Sequence, residues 1–182
     1  MRILAISGSL RDGSYNSLLL RAAEQQAPAG VAIDRYDGLA QVPPFHGNRS
    51  AIGPVPEPVR DFQERIARAD AVLIATPEYN GSIPGQLKNA LDWASTPFPD
   101  NVLKGKPVAV IGASTGAYGG MWAQAELKKV LGVTGARVVG ADMAIAKANE
   151  QFDQDGRLAD GQAERLAKVL DELTQEFAAI AA

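Results

Sequence analysis

Short apolar runs alternate along this chain with longer stretches whose apolar positions recur every three or four residues. Runs of strand length occupy residues 3–7, 31–36, 71–76, 107–113 and 137–142, and helical periodicity fills residues 16–26, 57–68, 84–95, 120–131 and 160–179. Alternation of this kind marks repeated βα units, and it predicts an α/β fold whose five-stranded parallel sheet is covered by helices on both faces. The run at 31–36 is the weakest of the five because Asp34 and Arg35 interrupt it. Those at 107–113 and 137–142 are rich in valine and bounded by glycine, so both are expected at or near the centre of the sheet. In the last helix Leu166, Val169, Leu170, Leu173, Phe177 and Ile180 form one apolar stripe. The helix at 57–68 starts behind Pro56-Glu57-Pro58, where proline suits a first turn, and it turns Val59, Phe62 and Ile66 to one side.

Periodicity breaks between residues 38 and 56, where prolines 43, 44 and 54 and glycines 38, 47 and 53 punctuate the chain. This segment reads as one long irregular connection, either a binding lid or a solvated loop. His46 sits inside it with no titratable neighbour, which favours an ordinary exposed histidine over a proton donor. No repeat or low-complexity tract divides the chain, and its 182 residues, 46% of them apolar, are expected to form a single domain over 1–182.

Composition narrows the chemistry. Cysteine is absent, which excludes disulfides, thiolate metal sites and cysteine nucleophiles, and the single histidine nearly excludes a histidine-based metal site. No metal is expected, and any redox chemistry must come from a bound cofactor. The 18 Lys and Arg against 21 Asp and Glu leave a net charge of −3, too small for a polyanion-binding surface, so nucleic acid is not an expected partner. The apolar start of the chain halts at Ser7-Gly8-Ser9, too early for a signal peptide or a membrane span; a cytoplasmic location without membrane attachment is expected.

The strongest local signal is Ser7-Gly8-Ser9-Leu10-Arg11-Asp12-Gly13-Ser14-Tyr15-Asn16-Ser17, between the first strand and the first helix. A phosphate placed there meets free backbone N–H groups and the positive end of the helix dipole. Ser9, Ser14 and Asn16 add neutral donors, and Arg11 adds a charged fork suited to two phosphate oxygens. The plain alternative is a polar βα loop in which Ser14 or Asn16 caps the helix. Gly8 and Gly13 are followed by Ser14 and Tyr15, not by Lys and Ser or Thr, so a nucleoside-triphosphate P-loop is disfavoured. Leu10 occupies the place of the second glycine in a dinucleotide fingerprint, which leaves a mononucleotide as the better fit for a tightly held ligand.

Two further segments extend this pattern. Thr76-Pro77-Glu78-Tyr79-Asn80-Gly81-Ser82-Ile83-Pro84-Gly85-Gln86-Leu87-Lys88-Asn89-Ala90-Leu91-Asp92-Trp93 follows the third strand, and Ala113-Ser114-Thr115-Gly116-Ala117-Tyr118-Gly119-Gly120 follows the fourth. With the first loop, they resemble the NADPH-dependent FMN reductase family, which includes bacterial quinone, chromate and azo-dye reductases. The resemblance implies a flavodoxin-like three-layer sandwich with strand order 2-1-3-4-5 and FMN across the carboxyl ends of the strands. It also implies that Ser9, Arg11, Ser14, Asn16 and Ser17 hold the phosphate. By the same resemblance Pro77, Glu78, Tyr79 and Asn80 line the isoalloxazine, and Ser114, Thr115 and Gly116 close the other side, with Gly119 a weaker candidate. Glycines at 81, 85, 116, 119 and 120 leave room for a flat ligand beside the backbone. Lys88 and Asp92 read more simply as an i, i+4 ion pair.

The activity implied is reduction of a small acceptor, such as a quinone, azo dye, chromate or free flavin, by NADPH or NADH through bound FMN. The flavin carries that chemistry, so no catalytic side chain is assigned. Arg49 is the one basic candidate for a 2′-phosphate, and NADPH and NADH stay open as alternatives. A flavodoxin-type electron carrier and an FMN-binding module without turnover are the rival readings. Leu87, Leu91, Trp93, Pro97, Phe98 and Pro99 offer more apolar bulk than one sheet face needs. With the resemblance, this predicts a homodimer through the helix at 84–95, or a tetramer built of such dimers.

Overall fold

The computed structural model describes residues 1–47 and 54–181. Arg49 lies outside the described residues, as does the middle of the 38–56 connection. Five parallel strands, β1 (Arg2–Ser7), β2 (Ala32–Tyr36), β3 (Ala71–Ala75), β4 (Pro107–Ala113) and β5 (Arg137–Ile145), form one sheet in the order β2-β1-β3-β4-β5. Among the described residues the helices are α1 (Tyr15–Gln25), α2 (Glu57–Arg68), α3 (Gly85–Ala94), α4 (Met121–Val133), the short α5 (Ala148–Gln151) and α6 (Asp160–Ala181).

Alternate residues of each strand point to opposite faces, and the two cores sort accordingly. Leu4, Ile6, Val72, Ile74, Val108 and Val110 pack under α2, α3 and α4, where they meet Phe62, Ile66, Leu87, Leu91 and Leu127. Ile3, Ala5, Leu73, Ala109 and Ile111 pack under α1 and α6, against Leu19, Leu20, Leu166 and Leu170. The helix leaving β1 therefore lies on one face and the helix leaving β3 on the other. Their connecting loops part at the carboxyl ends of these neighbouring strands, which opens the crevice where doubly wound sheets take ligands.

Three expectations need correction. β5 is an edge strand, not a central one, because its valines are covered by helices while its other side has no neighbour: Val138 and Val139 are only half-buried. It also runs to Ile145, past the expected end at 142. Between the pairs Ala109↔Val139 and Ile111↔Met143 the register shifts, and the bulge interrupts the apolar run with exposed Ala141 and Asp142. Glu172 of α6 accepts the Ala141 N–H at 2.7 Å, and Lys128 of α4 pairs with Asp142, so the bulge is anchored from both faces. Third, the apolar bulk expected to seek a partner is consumed within the chain: Leu87, Leu91 and Trp93 are 0, 1 and 2% exposed. Trp93 donates its indole N–H to the Pro43 carbonyl at 2.8 Å and meets Phe45 edge to face, and only the tip at 97–99 stays in solvent.

The described start of the 38–56 connection is held closely. Leu39–Gln41 forms a 3₁₀ turn, after which Gln86 of α3 donates to the carbonyls of Leu39 and Val42 at 2.7 and 2.8 Å. Asn89 donates to Pro43 at 2.9 Å and accepts the Phe45 N–H at 2.6 Å. One polar row on α3 thus straps the loop down as far as Phe45, beyond which His46 is exposed.

Candidate functional site

β1, β3 and β4 are neighbours, and the loops that leave their carboxyl ends converge on one cavity of about 210 Å³. Its lining comprises Ser9, Arg11, Ser14, Tyr15 and Asn16 from the first loop, Pro77, Glu78 and Tyr79 from the second, and Ala113, Ser114 and Thr115 from the third. A cleft of the same volume at the opposite end of the sheet carries Arg2, Arg65 and Arg68, but these stand beside Asp34, Asp61 and Glu64 and leave little free positive charge for an anion.

The first loop is held by its own serines. The Ser7 hydroxyl donates to the Ser9 carbonyl at 3.2 Å, and Ser9 Oγ accepts the Arg11 N–H at 3.3 Å. Ser14 is the N-cap of α1, with Oγ accepting the Ser17 N–H at 3.1 Å, as the plain reading of this loop allowed. Tyr15 and Asn16, the first two residues of the helix, have no intrahelical acceptor for their N–H groups, and both residues line the cavity. Arg11 is exposed, and its guanidinium has no partner among the described residues. A free guanidinium, two orphan N–H groups and serine hydroxyls suit a phosphomonoester, and Pro77 and Tyr79 across the cavity supply apolar contact for a ring. The residues present fit a flavin mononucleotide.

Several candidates do other work than expected. Asn16 is 3% exposed, and its amide bonds both backbone groups of Ala113: Nδ2 donates to the carbonyl at 3.0 Å and Oδ1 accepts the N–H at 3.0 Å. Its side chain is therefore a clamp between the first and third loops, with one Nδ2 N–H used in the clamp. Ser17 stands outside the lining and hydrogen-bonds Ser14 and Ser7. Asn80 also stands outside; with φ of 54° beside Gly81 at 75°, it forms the two-residue turn of a tight hairpin in which Tyr79 and Ser82 exchange backbone bonds of 3.0 and 3.1 Å.

Glu78 lines the cavity, and its carboxylate accepts the N–H groups of Trp122 and Ala123 in α4, each at 3.1 Å. The N-cap of α4 is Gly120, which has no side chain to offer, so a residue from the second loop caps the helix of the third. Gly116 lies outside the lining, and its carbonyl accepts the Lys147 N–H at 3.1 Å. Gly119 owes its identity to close approach: with φ of 61°, a Cβ there would lie 2.7 Å from the backbone of Ala144 and Ile145. Lys88 and Asp92 form the simple ion pair, with Nζ 2.6 and 2.9 Å from the two carboxylate oxygens. Tyr15 and Ala113 line the cavity unforeseen; their only local signal is their position beside the loops.

Among the described residues no group of histidine and acidic side chains could hold a metal, and no helix is long and apolar enough to cross a membrane.

Comparison with known proteins gives the family and the fold. Residues 1–150 match the NADPH-dependent FMN reductase family. The chain is 42% identical over 167 residues to an NAD(P)H-dependent FMN reductase of Pseudomonas aeruginosa, covering 91% of this chain and 89% of that one. It is 37% identical over 180 residues to a 2-hydroxy-1,4-benzoquinone reductase of a Burkholderia species, covering 98% and 95%. Its fold superposes with a TM-score of 0.84 and 32% identity on FerB, a flavoenzyme NAD(P)H:(acceptor) oxidoreductase from Paracoccus denitrificans, over 96% and 98% of the two chains. With its three loops meeting at the switch point of a 2-1-3-4-5 sheet, the chain belongs to the NADPH-dependent FMN reductase family.

Proposed function

We propose that this chain transfers an electron pair from NAD(P)H to a small acceptor, a quinone in the first instance, at FMN held in the three-loop cavity. Family membership makes it an oxidoreductase with FMN as cofactor and NAD(P)H as reductant. The observation that carries the assignment of the site is the unpaired Arg11 beside the orphan N–H groups of α1, in a cavity that all three loops line. Arg11, Ser9, Ser14 and the N–H groups of Tyr15 and Asn16 would hold the phosphate. Pro77, Glu78 and Tyr79 on one side, with Ser114 and Thr115 on the other, would flank the ring. Ser17, Asn80 and Gly116 act at one remove, by shaping the loops.

Bound FMN supplies a ring able to take a hydride and release its electron pair. The protein's part is to fix the phosphate, hold the two ring-side loops at a set separation and leave one side open to exchange of substrates. Overall, NAD(P)H, one proton and a quinone become NAD(P)⁺ and hydroquinone, so no protein group need gain or lose a proton permanently. That balance suits a cavity without cysteine or histidine in its lining.

The Burkholderia relative is named for a benzoquinone substrate, which supports quinone ahead of azo dye, chromate or free flavin. We further propose a cytoplasmic location and a homodimer whose contact includes the exposed 97–99 tip, with Phe98 at 73% exposure, in place of the body of α3. Steady-state oxidation of NADPH and NADH by the FMN-loaded protein, with each acceptor ranked by kcat/KM, tests the reading. Quinone-dependent turnover is expected. FMN binding without turnover would favour the electron carrier.

A further inference from the structure

Beside the cavity lies an apolar surface that the cofactor site does not use. Tyr118 and Trp122 are 59 and 51% exposed, and Met121 between them is 49% exposed. The rings of Tyr118 and Trp122 pack together with centroids 4.8 Å apart. Their place is fixed by the site itself. Tyr118 belongs to the third loop, and the Trp122 backbone N–H donates to the carboxylate of Glu78, a residue of the cavity lining. The aromatic pair and the cavity are therefore two sides of one joint.

We infer that Tyr118 and Trp122 form the wall on which a flat, uncharged acceptor of the quinone class rests at the site; this rests on the reductase reading above. Size decides between occupants. Three half-exposed side chains of this kind offer on the order of 300 Å², whereas a stable protein interface needs roughly 800 Å² from each partner. Two adjoining rings match the face of a one- or two-ring quinone, and offset or edge-on stacking gives such a ligand orientation without a charged contact. The wall would thus select for aromatic acceptors without taking part in the reduction of the flavin.

The test uses the FMN-loaded protein with menadione as the flat acceptor and ferricyanide as one that cannot stack. Trp122→Ala is expected to lower kcat/KM for menadione about five- to tenfold, mainly through KM. Turnover of ferricyanide should stay within about twofold of the wild type, because the wall has no part in flavin reduction. Trp122→Phe and Tyr118→Phe should keep most of the menadione activity, because a ring remains. Binding is read separately by fluorescence of the oxidised protein. Trp93 is buried, so saturable quenching by menadione should come from Trp122 and vanish in Trp122→Phe.

Equal losses with both acceptors, no loss with menadione, or quenching that survives in Trp122→Phe would each overturn the inference. So would a change in sedimentation of Trp122→Ala, which would assign the wall to a second copy of the chain. A wild-type protein inactive with both acceptors would instead sink the reductase reading, and the fluorescence titration would still decide whether the wall binds a quinone.

Discussion

Arg11 and Asn16 lie five residues apart on the same loop, yet among the described residues the first has no side-chain partner and the second clamps the backbone of Ala113. A guanidinium left unpaired beside a helix N-terminus has its use in a ligand anion, so Arg11→Ala is expected to weaken FMN binding by about 1.5–3 kcal/mol and leave the fold intact. Titration of apoprotein with FMN checks this, and an unchanged Kd would remove Arg11 from the site. Asn16 behaves otherwise. Asn16→Ala orphans the Ala113 N–H and carbonyl, with an expected stability loss of about 2 kcal/mol. Because the clamp sets the gap between two loops, FMN and riboflavin should lose affinity by the same factor; a loss confined to FMN would put Asn16 on the phosphate after all. The sequence shows an asparagine beside a phosphate loop. Its partner is 97 residues away, where no local pattern points. Tyr36 makes the same point in the core. Its hydroxyl is buried with no hydrogen-bond partner among the described residues, and burial, then the negative charge of Asp61, push its pKa up to about 12. The folded protein holds that proton more tightly than the unfolded chain, so this contribution is complete below pH about 10 and is lost as pH rises through about 12. Tyr36→Phe removes an unsatisfied group and should match or exceed wild-type stability at neutral pH while flattening the alkaline limb, as followed by urea denaturation across that range.

Glu78 shows how elements of this fold serve one another. The P-E-Y-N turn is legible as a site loop, and the Asn80-Gly81 pair is a recognisable hairpin signal, but nothing local reveals that the Glu78 carboxylate caps α4, 44 residues on. Glu78→Ala is expected to cost about 1–2 kcal/mol, through loss of two hydrogen bonds to a charged acceptor at a helix N-terminus. Chemical denaturation reads that cost, and no change would mean that water caps the helix as well. The row Gln86, Asn89 and Trp93 has a similar history. Its spacing of three and four is plain in the sequence as one helical face, and what that face holds becomes visible only when the start of the 38–56 connection folds onto it. Helices and strands were legible where burial repeats at a fixed period, as in Leu166, Val169, Leu170 and Leu173, all buried under the sheet. They were misjudged where the period is broken, at the β5 bulge and in the last turn of α6, where Ile180 runs past the sheet and is 44% exposed.

At the scale of the whole molecule, strand order follows from the alternation of elements together with the family resemblance, and the cavity follows from strand order: the loops of β1, β3 and β4 meet because those strands are neighbours. The apolar surplus along α3 is not legible in the sequence, because apolar residues counted along a helix carry no label for which surface will bury them. Leu87 and Trp93 fill the chain's own core, and Phe98 is left as the exposed apolar contact of that region. Sedimentation equilibrium of the wild type and Phe98→Asp addresses the proposed pairing: a dimer that the charge dissociates is expected, and a monomeric wild type or an unmoved dimer would refute a contact at that tip. Electrons are expected to pass from NAD(P)H to a quinone at this one cavity. The most direct measurement is an anaerobic mixing experiment on the FMN-loaded protein, followed by its visible absorbance. Bleaching on addition of one equivalent of NADPH and recovery on addition of one equivalent of menadione are the results expected. A visible absorbance that persists in the presence of both NADPH and NADH would contradict the account.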